Sequence, residues 1–159
     1  MCATVVVGEA RRVCPLMADD PIDVAALFAA ARAVQAHAHA PYSRFPVGAA
    51  ILTDQGTIYA GCNVENASYP LGSCAEASAI SAMVSAGERR IVAVLTVCEG
   101  ERLSTCCGGC RQRIREFAAL DTPVFAAGPE GVRATFTLEQ LLPASFGPEH
   151  LDDFAGGPA

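Results

Sequence analysis

The sequence has no apolar run long enough to cross a membrane. Its apolar stretches fall short of the roughly 18 residues that a transmembrane helix requires, and the opening MCATVVVGEARR holds too short an apolar segment for a signal peptide. We therefore expect a cytoplasmic protein without a membrane partner.

The sequence also has no run of basic residues. Its 11 Lys and Arg are outnumbered by 17 Asp and Glu, and the formal net charge is −6. Affinity for nucleic acid comes largely from cations that contact phosphates, so this balance argues against a nucleic-acid partner. A small neutral substrate fits such a surface better.

Internal repeats and linkers are absent as well, which indicates a single domain. With 159 residues, 52% of them hydrophobic, the chain can bury a core without disulfides. Residues 1–16 show no clear period, and we interpret them as an N-terminal extension that is disordered or precedes the native start, since Met17 is a second candidate initiator. Residues 17–159 are predicted to form the domain.

Apolar periodicity predicts an alternation of helices and strands. Asp19 or Asp20 can cap a first helix in which Pro21 is the first residue, and this helix should end before Pro41. The segments that follow are predicted as a hairpin (46–53 and 57–61), a helix (74–86), a strand (91–97), a helix (107–119), two strands (123–127 and 132–137) and a helical turn (138–142). This order predicts a three-layer α/β/α sandwich around a mixed five-stranded sheet, with strand 91–97 at its centre.

Cysteine, by contrast, is plentiful and clustered. The chain has eight cysteines, and three of them fall within STCCGGCRQ at 104–112. The spacing of Cys107 and Cys110 suits a disulfide, a redox dithiol or a metal site. In a reducing cytosol, clustered cysteines are more often metal ligands or catalytic groups than bridges.

The segment SCAEASA at 73–79 offers a third thiol for such a site. Ser73 and Glu76 have the spacing of a capping box, which is a purely structural alternative. However, Cys74 lies in the same turn, just as Cys107 and Cys110 lie at the start of their own predicted helix. If the two helices are neighbours, three thiols converge on one ion, and three protein ligands plus water mark a catalytic rather than a structural zinc site.

The charge of such a site can be balanced by the helices that carry it. Three thiolates on Zn²⁺ leave one negative charge, and each helix N-terminus contributes about half a positive charge. Arg111 is a further cation nearby. Glu76 would lie close to a metal-bound water without binding the metal, which is the place for a proton shuttle.

The motif Cys-Ala-Glu at 74–76, followed by Cys-x-x-Cys at 107–110, resembles the zinc-dependent cytidine and deoxycytidylate deaminases. The segments PYSRFPVGAAILTDQGTIYAGCNVENASY and LLPASFGPEHL extend the resemblance to cytidine deaminase over residues 20–151. It implies one Zn²⁺ per chain, held by Cys74, Cys107 and Cys110. It also implies that water activated by zinc would attack C4 of the cytosine ring, while Glu76 would move protons to N3 and to the departing amine.

The resemblance also implies residues that bind the nucleoside. Asn63 and Glu65 would bind the ribose 3′-hydroxyl, Phe45 would pack on the nucleoside, and Phe146 would reach the site of a neighbouring subunit in a homotetramer. The implied reaction converts cytidine and 2′-deoxycytidine to uridine and 2′-deoxyuridine with release of ammonia, as in pyrimidine salvage. From the residues alone, Asn63 and Glu65 also suit ordinary turn residues, and both phenylalanines suit core aromatics.

Two positions depart from the pattern of this family. Members with three cysteine ligands often carry arginine where this chain has Ala77, so the charge of the site is less well offset. Proline usually stands where this chain has Cys106. We expect the Cys106 side chain to face away from the metal, so that a Cys106→Pro change leaves the zinc content nearly unchanged.

Other functions remain as alternatives. A redox protein would use the Cys107–Cys110 pair alone, and a structural zinc module would need a fourth ligand such as Cys106. Deaminases of nucleoside-like antibiotics such as blasticidin S share the core motifs. A polynucleotide deaminase fits poorly, because the sequence offers no basic channel.

Overall fold

The computed structural model describes residues 21–152. Its elements are α1 (Val24–Gln35), β1 (Val47–Thr53), β2 (Ile58–Cys62), a 3-10 turn (Tyr69–Leu71), α2 (Ala75–Ser85), β3 (Ile91–Cys98), α3 (Gly108–Arg115), β4 (Pro123–Gly128), β5 (Gly131–Thr137), α4 (Leu138–Leu141) and α5 (Glu149–Asp152). None of the helices in this part of the chain is long and apolar enough to cross a membrane. The interpretation of residues 1–16 falls outside the described residues.

The five strands form one mixed sheet in the order β2-β1-β3-β4-β5. Strand β1 pairs antiparallel with β2 and β3, β3 pairs parallel with β4, and β4 pairs antiparallel with β5. Strand β3 is central, as the apolar run at 91–97 predicts, because a strand covered on both faces has no solvated side.

Helices cover both faces of the sheet. On one face, α1 packs against β1, β2 and β3, and the core cluster there includes Leu27, Ala31, Ala50, Leu95 and Phe125. On the other face, α2 packs against β1, β2 and α3, and the core cluster there includes Ile51, Ile80, Met83, Val94 and Ile114. The predicted three-layer α/β/α sandwich is confirmed.

The topology places the start of α2 beside the start of α3. Strands β2 and β3 are both antiparallel to β1 and therefore parallel to each other. Helix α2 connects β2 to β3 and α3 connects β3 to β4, so both crossovers step in the same direction across the sheet. Because such crossovers are right-handed, both helices lie on one face, and each begins beyond the carboxyl end of the strand before it.

Two helix boundaries differ from the prediction. Helix α1 begins at Val24 rather than Pro21, because the Asp23 carboxylate accepts from the backbone N–H of Ala26 at 2.9 Å and caps the helix there. Helix α3 ends at Arg115, short of the predicted residue 119. The Phe117 carbonyl accepts from the N–H of Ile91 at 2.9 Å, so the chain leaves the helix to pair with β3.

Candidate active site

The first turn of α2 leaves the Cys74 thiol free. Cys74 is the N-cap residue, with extended backbone angles, and its side chain makes no capping hydrogen bond. The Ser73 hydroxyl lies 3.3 Å from that of Ser78, and the Glu76 carboxylate accepts from Thr96 instead. The capping-box alternative for Ser73 and Glu76 is therefore wrong, because Cys74 is the N-cap residue and the Glu76 carboxylate has a tertiary partner.

A glycine in β2 lets this turn approach the sheet. A Cβ atom at Gly61 would lie 2.6 Å from the backbone nitrogen of Ala79 and 2.8 Å from the carbonyl oxygen of Ala75. Side chains do not tolerate contacts this short, so only glycine lets β2 contact the backbone of α2. The close packing fixes the helix that carries Glu76 against the sheet.

The start of α3 carries two further thiols. Cys107 is its N-cap residue, again extended and without a capping hydrogen bond from its side chain, and Cys110 is buried in the first turn. The thiols of Cys74, Cys107 and Cys110 all lie within 4.8 Å of one another. In the described part of the chain, no other group of three His, Cys, Asp or Glu side chains is placed to hold a metal ion.

The separation of the sulfur atoms fits a zinc ion. The Sγ atoms of Cys74 and Cys107 are 3.8 Å apart. Two sulfurs at tetrahedral corners, each about 2.3 Å from one Zn²⁺, would themselves be about 3.8 Å apart. The three thiols therefore fit one Zn²⁺ per chain, with one coordination position left for a non-protein ligand.

The surroundings of the thiols also favour a bound cation. Burial raises the pKa of Cys74, and burial together with the charge of Glu76 raises the pKa of Cys110. Partial burial also acts to raise the pKa of Cys107, but hydrogen bonds from the Cys110 backbone and from the two neighbouring thiols outweigh it and lower that pKa. Two thiols that resist ionisation beside a carboxylate become stable thiolates once a divalent cation offsets their charge.

Glu76 is a buried carboxylate beside this cluster. Its residue is only 3% exposed, and its Oε1 atom accepts from the Thr96 hydroxyl at 3.3 Å. Burial and this hydrogen bond hold the carboxylate in one orientation.

Most of the residues predicted for the site line one cavity. The cavity measures about 370 Å³ and is bordered by Cys74, Glu76 and Cys107 at the metal cluster and by Phe45, Asn63 and Glu65 farther out. Phe146 is not among the residues that line it. The structure therefore brings the predicted site residues together except Phe146, with Cys110 joined through the thiol cluster rather than the cavity wall.

Asn63 and Glu65 support the loop that carries Phe45. Asn63 accepts from the Val47 N–H at 2.8 Å and donates to the Phe45 carbonyl at 3.0 Å. Glu65 accepts from the N–H groups of Tyr42 and Ser43 and from the Ser43 hydroxyl. That hydroxyl, helped by the two N–H groups, lowers the pKa of Glu65, so the side chain stays an ionised acceptor.

The two phenylalanines are exposed. Phe45 is 41% exposed and Phe146 is 57% exposed, so the alternative that they are core aromatics is wrong. The apolar side chains that fill the core come mainly from the strands and from α1 to α3, and neither phenylalanine is among them.

Cys106 lies apart from the thiol cluster. It is 2% exposed and packs in the apolar core with Ile80 and Ile114, where burial raises its pKa to about 11. Arg111 donates to the Cys106 carbonyl, to the Thr105 hydroxyl and to the Leu141 carbonyl, each at 2.8 Å. The guanidinium therefore supports the loop before α3.

The sequence analysis did not predict three polar residues of the cavity wall, namely Thr96, Ser104 and Thr105. Thr96 could have been noticed, because it is the only polar residue in the buried strand IVAVLTV. Ser104 and Thr105 lie in an irregular loop, and no sequence pattern indicates their position.

Comparison with known proteins identifies the family. Residues 23–126 match the model of the cytidine and deoxycytidylate deaminase zinc-binding region. The cytidine deaminase of Sporosarcina psychrophila is 42% identical over 130 residues, which cover 82% of this chain and 96% of that protein.

Solved structures agree with this match. The cytidine deaminase of Burkholderia pseudomallei is 39% identical and superposes with a TM-score of 0.73, over 79% of this chain and all of that one. The cytidine deaminase of Mycobacterium tuberculosis is 38% identical, with a TM-score of 0.69 over 80% of this chain and 99% of that one. With its three thiols, its buried glutamate and these relatives, the chain belongs to the zinc-dependent cytidine and deoxycytidylate deaminase family.

Proposed function

We propose that this chain hydrolyses cytidine and 2′-deoxycytidine to uridine and 2′-deoxyuridine with release of ammonia, as a step of pyrimidine salvage. The observation that carries the proposal is the meeting of three thiols and one buried carboxylate, Glu76, at one cavity of about 370 Å³. A cavity of this size suits a small ligand.

We assign Cys74, Cys107 and Cys110 as the ligands of the zinc ion. Their spacing and the two helix N-termini on which they lie support this assignment. When bound, zinc supplies a Lewis acid that lowers the pKa of a water molecule until it is nucleophilic near neutral pH.

Glu76 is the proton carrier in this proposal. Its carboxylate takes a proton from the attacking water and gives it to N3 of the ring. It then takes a second proton from the new C4 hydroxyl and passes it to the departing amino group. The Thr96 hydroxyl holds one oxygen of Glu76 in place. Water adds at C4, the C4–N bond breaks, and the products are the uracil nucleoside and ammonia.

The outer part of the cavity would bind the sugar and the ring. Glu65 presents an ionised acceptor, and Asn63 presents an amide, to the ribose 3′-hydroxyl. Phe45 packs on the nucleoside. A site built to hydrogen-bond a hydroxyl discriminates strongly against ligands that lack it.

We further propose that the chain works as a homotetramer in the cytoplasm. Phe146 is exposed and lies outside the cavity of its own chain, so it needs a second copy in order to reach a substrate. A second cavity of about 390 Å³, lined by the exposed Tyr42 and Tyr69, adjoins the first and offers a surface for such a copy. The six cysteines in the described part of the chain are free thiols, which suits a reducing compartment.

The test compares three substrates. Purified zinc-loaded protein is incubated with cytidine, 2′-deoxycytidine or blasticidin S, and ammonia release is followed. We expect turnover of both nucleosides and little turnover of blasticidin S. A Glu76→Gln variant with the same zinc content should lose about 10²- to 10⁴-fold in kcat. Protein that deaminates none of the three, or Glu76→Gln protein as active as the wild type, would contradict the proposal.

A further inference from the structure

The second half of α3 holds the C-terminal segment, which is defined here as residues 141–149. Gln112 donates from Nε2 to the Phe146 carbonyl at 2.8 Å, and Arg115 donates from Nε to the Ser145 hydroxyl at 3.0 Å. The Arg115 guanidinium also forms an ion pair with Glu149. Phe146 and residues on both sides of it are thus bound to one helix.

Arg115 is the most buried member of this group of contacts. The residue is 8% exposed, although it carries a full positive charge. A buried cation is costly unless its donors are satisfied, so the Arg115 guanidinium needs Ser145 and Glu149 as partners. These contacts in turn fix the position of the C-terminal segment against α3.

Gly147 allows this close approach. A Cβ atom built at this position would overlap the Arg115 guanidinium and the Glu149 carboxylate. The backbone of the C-terminal segment therefore lies directly against the ion pair, and a side chain at position 147 would push the two apart.

The Phe146 ring therefore points toward solvent from a backbone that α3 holds in place. The Phe146 ring is 57% exposed and stacks on His150, with 5.0 Å between the ring centroids. It does not line the cavity of its own chain. A side chain displayed in this way is suited to contact another molecule.

The same helix begins at the metal cluster. Its first turn carries Cys107 and Cys110, and its last turn carries Arg115. One rigid element therefore sets both the thiols of its own site and the position of Phe146.

We propose that Arg115 is a positioning residue that fixes Phe146 so that this ring covers the nucleoside in the site of a second copy of the chain. The inference rests on the proposed deaminase function and on the homotetramer, and it adds a residue that touches neither substrate nor metal. Arg115 acts through the Glu149 ion pair and the Ser145 hydrogen bond.

A double-mutant cycle on zinc-loaded protein tests this inference, with cytidine as substrate. Phe146→Ala and Arg115→Met should each raise KM about fivefold to tenfold while kcat changes by less than about twofold. The double variant should show no higher KM than Phe146→Ala alone, because Arg115 acts only through Phe146. Arg113→Met is the matched control, since Arg113 is an exposed arginine of the same helix, and its KM should equal that of the wild type.

Glu149→Gln is a second test variant, in case Arg115→Met does not fold. The Glu149 side chain is 53% exposed, so its replacement keeps the fold while weakening the ion pair. We expect a smaller rise in KM in the same direction, about threefold, without loss of zinc or of the oligomer. A wild-type KM in Glu149→Gln, or additive effects of Arg115→Met and Phe146→Ala, would overturn the inference. Wild-type protein that does not deaminate cytidine would instead overturn the proposed function.

Discussion

Cys106 and Cys107 are adjacent in the chain but lie in different surroundings. Cys107 is exposed and shares the cavity with Cys74, whereas Cys106 is buried in the apolar core. The difference arises because the chain turns into α3 at Cys107, whose extended backbone directs its side chain away from the core. Cys107 therefore lies in the group of three thiols, and Cys106 does not.

Zinc content separates the roles of these two cysteines. Cys106→Ala should keep about one zinc per chain and lose about 1 kcal/mol of stability through the small cavity that it leaves. Cys107→Ala, the matched variant one residue away, should lose most of its zinc because only two thiols remain. Metal analysis after dialysis measures both, and loss of zinc from Cys106→Ala would show that Cys106 is a fourth ligand.

Thr96 supports the carboxylate that we propose as the proton carrier. Thr96→Val keeps the shape of the side chain but removes the hydroxyl that donates to Glu76. Since a hydrogen bond to a charged group contributes about 1.5–3 kcal/mol, we expect kcat to fall about tenfold or more with little change in KM. Thr96→Ser restores the hydroxyl and should recover most of the rate. An unchanged kcat in Thr96→Val would show that the hydroxyl does not hold Glu76.

The contact between β2 and α2 determines where Glu76 lies. Gly61→Ala would force the first turns of α2 away from the sheet, at a cost of about 1–3 kcal/mol in the free energy of unfolding. Gly108→Ala is the control, because a Cβ atom at that helical position meets nothing within 4 Å. Urea denaturation should show a loss for Gly61→Ala only. Equal stability of the two variants would mean that the contact is not tight.

The order of the elements could be predicted, but some of their ends could not. The central strand and the hairpin follow from apolar periodicity, which reflects burial directly. The capping-box alternative at Ser73 is not formed, because Cys74 is the N-cap residue and Thr96 from a distant strand donates to Glu76. The end of α3 likewise depends on the pairing of Phe117 with Ile91.

The thiols and the carboxylate of the site could be predicted from the sequence, but only part of the cavity wall could be. Cys74, Glu76, Cys107 and Cys110 belong to short motifs, and right-handed crossovers bring those motifs together. Thr105 lines the same cavity from an irregular loop held by Arg111. The position of such loop residues depends on side-chain contacts between distant parts of the chain, and no periodic pattern in the sequence indicates it.

Assembly is the prediction that belongs to the whole molecule. Sedimentation velocity should give a species of about four times the chain mass, as a closed symmetric oligomer requires. The exposed Tyr42, Tyr69 and Phe146 would then become buried, and their exposure to solvent quenchers and oxidants should fall. A stable monomer with full activity would contradict the proposed role of Phe146 at a neighbouring site.

X-ray absorption at the zinc edge tests the proposed active site most directly. The account predicts three sulfur atoms at about 2.3 Å from the zinc and one oxygen or nitrogen atom at about 2.0–2.2 Å, which is an open site with room for a reacting water. Four sulfur atoms, with no lighter ligand, would show a closed structural site and contradict the account.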